Sequence, residues 1–181
     1  MTVTNTDGDS CQQAAHWPHP DSGTARRAKM NIVLFEPEIP ANTGNISRTC
    51  AVTGAALHLI EPLGFDISER AVRRAGLDYW QKLELYTYKS WQDFLQQNPG
   101  APIFLATTKG SVPHTELSYP EGAYLVFGKE TAGLPGHIHD AYPDTRLRIP
   151  MQPDYRSLNL SNAVAIVLFE ALRQHGFFDL T

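Results

Sequence analysis

The chain has 181 residues, 42% of them hydrophobic, and a formal net charge of −4. That length supports one domain with a proper core, and the charge argues against a broad nucleic-acid platform while leaving room for a local basic patch. No apolar run reaches a membrane span, no hydrophobic core of a secretory signal is present, and the isolated Cys11 and Cys50 form neither a disulfide framework nor a metal pattern, which fits a reducing cytoplasm.

Residues 1–29 are dominated by Thr, Asp, Ser, Gln, Gly, His and Pro, with Trp17 as the large apolar side chain. So little can be buried there that a disordered extension is predicted, ending in the basic Arg26, Arg27 and Lys29. Met30 reads as the start of a single domain over 30–181. From Asn31 the chain alternates. Apolar strands are predicted at 31–35 and 56–60, with a helix over 42–53 between them, capped near Asn42 or Thr43 and stopped by Gly54. A short helix at 69–75 precedes a strand at 83–88 and a helix at 90–97 capped by Ser90. Strands at 102–107 and 123–127, a short helix at 134–142 and a strand at 146–149 follow. The last helix is strongly apolar: Leu160, Val164, Val167, Leu168, Ala171 and Leu172 share one face. Strands alternating with helices predict an α/β fold with a mainly parallel sheet.

Ligands in such sheets gather at the carboxyl ends of the strands. Three segments there carry unusual chemistry. The first runs from Glu36 through a proline-stiffened turn to Asn42, Gly44 and Arg48, whose guanidinium offers a planar fork of donors. The second is Phe127 to Pro135, where Gly128 and Gly133 allow close backbone approach to a flat ligand. The third leads from Ile149 to the turn of Arg156, Ser157, Asn159 and Ser161 at the mouth of the last helix, a residue set suited to capping it and to an anion.

Several chemistries are excluded at the level of motifs. No glycine fingerprint of a nicotinamide oxidoreductase follows the first strand, and Gly128-Lys129 lacks the spacing of a P-loop. No His or Cys pair has metal-ligand spacing; His137 and His139 diverge on a helix. Ser157 and Ser161 have no nucleophile elbow. His58, inside an apolar strand, reads as a satisfied core histidine.

At the three segments, Asn42-Thr-Gly-Asn-Ile-x-Arg48, Phe127-Gly-x-Glu130-x-x-Gly133-Leu-Pro135 and Ser157-Leu-Asn159-Leu-Ser-Asn-Ala163, the sequence resembles the SPOUT, or trefoil-knotted, RNA methyltransferases. With Glu36-Pro-Glu-Ile-Pro, Arg73-Arg-Ala-Gly-Leu-Asp-Tyr79 and Ile149-Pro-Met-x-Pro-Asp154, it is closest to members that methylate the 2′-hydroxyl of cytidine or uridine 34, the wobble nucleotide, in leucine tRNAs. The resemblance spans Asn31 to Gly176.

The resemblance implies a deep trefoil knot in the C-terminal half, a homodimer built on the first and last helices, and S-adenosylmethionine as methyl donor, with no metal and no membrane. The implied cofactor positions are Ala106, Gly128, Ile149 and Ser157, completed by Glu130, Met151, Leu158 and Asn159, with Leu105 as a further wall for the adenine. Arg48 is the implied catalytic residue, by orientation and charge stabilisation, and Asn42 positions the ribose or its phosphate. Arg73 and Arg74, on one face with Arg70, would track RNA phosphates together with Arg156, and Tyr79 or Trp80 would stack on an anticodon base. Lys129 and Ala132 stand where relatives often carry proline and arginine; whether Lys129 replaces that arginine or the change is neutral stays open. The alternatives are a 2′-O-methyltransferase of another tRNA position or of ribosomal RNA, and a non-catalytic module of the same fold.

Overall fold

The computed structural model describes residues 29–67 and 83–181. The expected extension before Lys29, the helix at 69–75, and Arg70, Arg73, Arg74, Tyr79 and Trp80 lie outside the described residues. Lys29 itself belongs to the fold: its carbonyl accepts from Gly122 N (2.8 Å) and its Nζ meets Asp179 (2.6 Å).

Seven strands form one parallel sheet: β1 (Asn31–Phe35), β2 (Ala56–Ile60), β3 (Leu85–Tyr88), β4 (Ile103–Ala106), β5 (Val112–Pro113), β6 (Tyr124–Phe127) and β7 (Arg146–Arg148), in the order β3-β2-β1-β6-β4-β7-β5. Among the described residues four α-helices accompany it: α1 (Pro40–Thr53), α2 (Trp91–Gln97), α3 (Gly136–Ala141) and α4 (Leu160–Gln174). The central strands β1 and β2 are buried at every position, as expected for a sheet covered on both faces. Their side chains alternate between two cores. Ile32 and Leu34 join Ile46 and Cys50 of α1 and Val164, Val167 and Leu168 of α4. Val33 and Phe35 join Trp91 and Phe94 of α2 and Ile138 of α3. The face of α4 that the apolar spacing marked is the buried one.

Most predicted ends move by one or two residues, and two departures from expectation bear on the site. Helix α1 starts at Pro40, earlier than predicted, with Ile39 rather than Asn42 or Thr43 in the cap position. Proline breaks a helix interior, but at the first helical position its fixed φ and missing N–H cost nothing. The other is β5, too short to show a pattern. Its Val112 stands opposite Leu147 of β7, and Ala106 of β4 stands opposite the same Leu147 from the other side. Since β4 ends and β5 begins at the same height, residues 107–111 bridge them without the long crossover that parallel strands usually need. The hop passes over β7: a Cβ on Gly110 would lie 2.7 Å from the Leu147 carbonyl carbon. Strand β7, late in the chain, thus lies between two strands made earlier. The β5–β6 connector then grips the end of α4, with Tyr119 N donating to Gln174 Oε1 (3.0 Å) and Gln174 Nε2 to the Leu117 carbonyl (2.8 Å).

His58 is a core histidine, as its strand context predicted. It is 2% exposed, with Nδ1 at 2.8 Å from the Tyr88 hydroxyl and Nε2 at 3.2 Å from Asn31 Oδ1. Burial pushes its pKa down to about 3, so the ring is neutral and donates through one nitrogen while accepting through the other. The depressed folded value has a definite sign. Below the unfolded pKa of about 6.5 the unfolded chain takes up a proton that the folded chain refuses. The His58 contribution should therefore destabilise the fold by about 1.4 kcal/mol per pH unit over the acid range. The check is chemical denaturation of wild type and His58→Asn between pH 7 and 4, with a shallower pH slope expected in the variant.

Candidate active site

The carboxyl ends of β4, β6 and β7 open onto a cleft of about 740 Å³. That lies within the roughly 300–1,000 Å³ of small-molecule sites, at the end of the sheet where ligands gather. Three chain segments wall it, at 106–109, 127–134 and 149–160.

The cleft's shape is set where α1 begins. Ile39 carries no side-chain acceptor, and the N–H groups of Glu38 and Ile39, just ahead of the helix, need a partner from elsewhere. Glu130, ninety-odd residues later, supplies it. Its carboxylate accepts from Glu38 N (2.9 Å), Ile39 N (3.3 Å) and Asn42 Nδ2 (2.8 Å). A negative charge at a helix amino end also suits the macrodipole. Burial alone would raise the pKa of this carboxyl; the bonds from Asn42, Glu38 and Ile39 outweigh it and hold the group below the usual carboxylate range.

The chain of bonds continues. Asn42 Oδ1 accepts from Asn159 Nδ2 (2.9 Å), and Asn159 Oδ1 accepts from Ser161 N (2.9 Å) and Ser161 Oγ (2.7 Å), capping α4. The three sequence motifs therefore meet in one relay, Glu130–Asn42–Asn159–Ser161. Asn42 is 5% exposed and turns its amide to Glu130 and Asn159.

Two further contacts, not anticipated from sequence, lock the first segment to the second. Glu38 accepts from Thr131 N (3.1 Å) and Thr131 Oγ1 (2.8 Å), and Lys129 Nζ bonds Glu36 Oε2 (2.8 Å), which pushes the lysine pKa up. Glu36 holds a φ of 47°, a left-handed conformation that costs a non-glycine residue about 1 kcal/mol and persists only where the surroundings impose it. The signal available beforehand was the acidic spacing Glu36-Pro-Glu38.

Most expected cofactor positions converge. Ala106, Gly128, Glu130, Ile149, Met151, Ser157, Leu158 and Asn159 all line the cleft, as do Lys129 and Arg156. Leu105 does not. It is fully buried in the core against α2 and α3, because neighbouring strand residues point to opposite faces. Gly128 is needed for a reason other than ligand approach: a Cβ there would sit 2.2 Å from the Gly133 carbonyl carbon, where the loop folds back on itself. Arg48 is exposed on α1 and is not among the described residues lining the cleft. His139 lines it unannounced, 5% exposed. Burial, with Lys109 and Arg146 nearby, keeps its imidazole pKa low and the ring neutral.

Removing the Glu130 carboxylate orphans several donors at once. Glu130→Ala should lose about 2 kcal/mol of stability and speed hydrogen exchange at Thr131 and Gly133, whereas Glu130→Gln, which keeps one acceptor oxygen, should lose less. Because folding lowers this pKa, the benefit is present above about pH 4.3 and disappears as pH falls through the folded value. Wild type and Glu130→Gln should therefore converge in stability on acidification, as denaturation at stepped pH would read.

The model of the SpoU rRNA Methylase family matches residues 29–169. A tRNA (cytidine(34)-2′-O)-methyltransferase of Escherichia coli strain K12 is 52% identical over 149 residues, covering 82% of this chain and 95% of that protein. A solved structure described as giving insight into 2-OH methylation of C/U34 on tRNA is 43% identical with a TM-score of 0.76, covering 81% of this chain and 96% of that one. An AdoMet-bound rRNA methyltransferase from Sinorhizobium meliloti is 27% identical with a TM-score of 0.69, covering 82% of this chain and 57% of that one. With its parallel sheet, its inserted β7 and the relay of motif residues around the cleft, this chain belongs to the SpoU methylase family.

Proposed function

We propose that the protein transfers a methyl group from S-adenosylmethionine to the 2′-hydroxyl of nucleotide 34, cytidine or uridine, in leucine tRNAs. The observation that carries this reading is the Glu130–Asn42–Asn159 relay, which draws the three motif segments around one cleft of cofactor size. The relatives named for cytidine 34 and for C/U34 support the position. The leucine assignment rests on the motif resemblance alone. A tRNA substrate implies a cytoplasmic enzyme. Ribosomal RNA is the weaker reading, because the relative named for cytidine 34 of tRNA is 52% identical whereas the rRNA methyltransferase matched is 27% identical.

The cleft fits the cofactor: Ala106, Ile149, Met151 and Leu158 give the apolar walls that an adenine needs. S-adenosylmethionine brings a methyl group already activated on a sulfonium, so the chain's residues bind, orient and stabilise charge. Glu130 and Asn42 act by holding the loops in register. Lys129, tied to Glu36, steadies the same loop, and Arg156 is the cation of the cleft wall offered to the RNA. A trefoil knot is consistent with β7 lying between β4 and β5 and with the β5–β6 connector gripping the end of α4.

Arg48 reaches a cleft across a homodimer. It lies one turn before Val52 on the same face of α1, and Val52 (65% exposed), Ile166 (38%) and Phe169 (46%) make an apolar surface on α1 and α4. There the guanidinium of one subunit orients the ribose held by the other and stabilises charge growing on its 2′-oxygen.

Labelled methyl transfer to total tRNA, followed by nucleoside mapping, should give a 2′-O-methyl mark at nucleotide 34 of leucine tRNAs. Arg48→Ala should lower the rate by about 10²–10³-fold while leaving cofactor affinity unchanged. Phe169→Glu should sediment as a monomer and lose transfer. Cofactor binding without any tRNA mark would redirect the reading to ribosomal RNA.

A further inference from the structure

Among the described residues, the large apolar side chains left exposed fall into a few sets. Val52, Ile166 and Phe169 lie on α1 and α4, Phe177 and Leu180 lie at the C-terminal end, Ile39 and Leu158 line the cleft, and Tyr155 stands next in sequence to Arg156 of the cleft wall. Tyr155 is the most exposed of them among the described residues, at 72%. It projects from a turn whose position is defined: Tyr155 N donates to the Gln152 carbonyl (3.2 Å), Pro150 and Pro153 stiffen the approach, and four residues later Asn159 is fixed in the relay. Such a turn fixes the backbone that carries the ring, and a tyrosine has only two side-chain torsions to order when a partner covers it.

The charges beside the ring say what kind of partner fits. Arg156 follows it directly and lines the cleft with Lys109, both exposed cations suited to phosphates, while Asp154 on the other side repels them. A polyanionic backbone would run along the Arg156 side, leaving the ring for a base. Every base has a π-face, and stacking requires that base to be unpaired, as anticodon-loop bases are.

We propose that Tyr155 is a stacking platform for an unpaired base next to the methylated nucleotide, and so a positioning residue for the RNA. The inference rests on the tRNA reading above and adds a specific contact to it: the ring, not the hydroxyl, fixes the neighbouring base, while Arg156 holds the phosphate.

The test uses the full chain and an anticodon stem-loop RNA carrying 2-aminopurine at position 33 or 35, comparing wild type, Tyr155→Phe and Tyr155→Ala. Wild type and Phe should quench the fluorophore at one of the two positions, and Ala should not. In methyl transfer, Ala should raise KM for the RNA by about tenfold, Phe should match wild type, and calorimetry should show cofactor affinity equal in all three. Quenching by Ala equal to wild type would overturn the proposal, as would Phe behaving like Ala, since the hydroxyl would then be the contact. Wild type that fails to bind the stem-loop would sink the tRNA reading and this contact with it. Wild type that binds while Ala is unaffected sinks the contact alone.

Discussion

Glu130 places a negative charge at the amino end of α1, a helix that cannot cap itself, and the cleft is built outward from that contact. The Glu38 and Ile39 N–H groups at the entry to α1 would be bare without it, and Asn42 would lose the acceptor that orients its amide. With Asn42 fixed, its oxygen meets Asn159, and Asn159 in turn caps α4. One carboxylate thus sets two helix starts and the loop it belongs to. The relay has few spare members, since a buried polar group is stabilising only while each partner is present. Thr131 and Glu38 make the return bond, so the two segments clamp each other from both sides.

The sheet order explains why the cleft has three walls. Strand β7 lies between β4 and β5, so the segment leaving β7 emerges beside the end of β4 instead of at an outer edge. From there the chain runs through Pro150 and Tyr155 to the relay, while β6, on the other side of β4, delivers Gly128 and Glu130. The crossing is tight. Gly110 passes against Leu147 and Gly128 against Gly133, closely enough that any side chain would collide. At both places glycine serves the chain's contact with itself.

Charge follows the same division of labour. The protein is acidic overall, yet the carboxylates of the first two cleft segments are occupied: Glu36 with Lys129, Glu38 with Thr131, Glu130 with α1. Lys109 and Arg156 face outward. Net charge is therefore a poor guide to what this surface meets, because the local balance depends on which groups are already spent on the fold.

The alternation of apolar runs and turn signals was enough, by itself, to determine the parallel α/β class, the buried face of α4, the capping of α2 by Ser90 and the core role of His58, since each depends on short-range patterning. The motifs likewise marked two of the cleft's three walls, 127–134 and 149–160, but not Thr107, Thr108 and Lys109 of the third. Only the tertiary structure decided the rest. The two-residue β5 has no period to read, and its pairing with β7 joins distant parts of the chain. The cap of α1 comes from a carboxylate ninety-odd residues away, so local rules looked for it in Asn42 and Thr43 and missed Glu130. Leu105 and Ala106 are neighbours in sequence but face opposite layers, a distinction that the sheet's register settles. Arg48, strongest of the motif residues on paper, stands on an outer face of α1, because six positions along a helix carry a side chain well away from where Asn42 points.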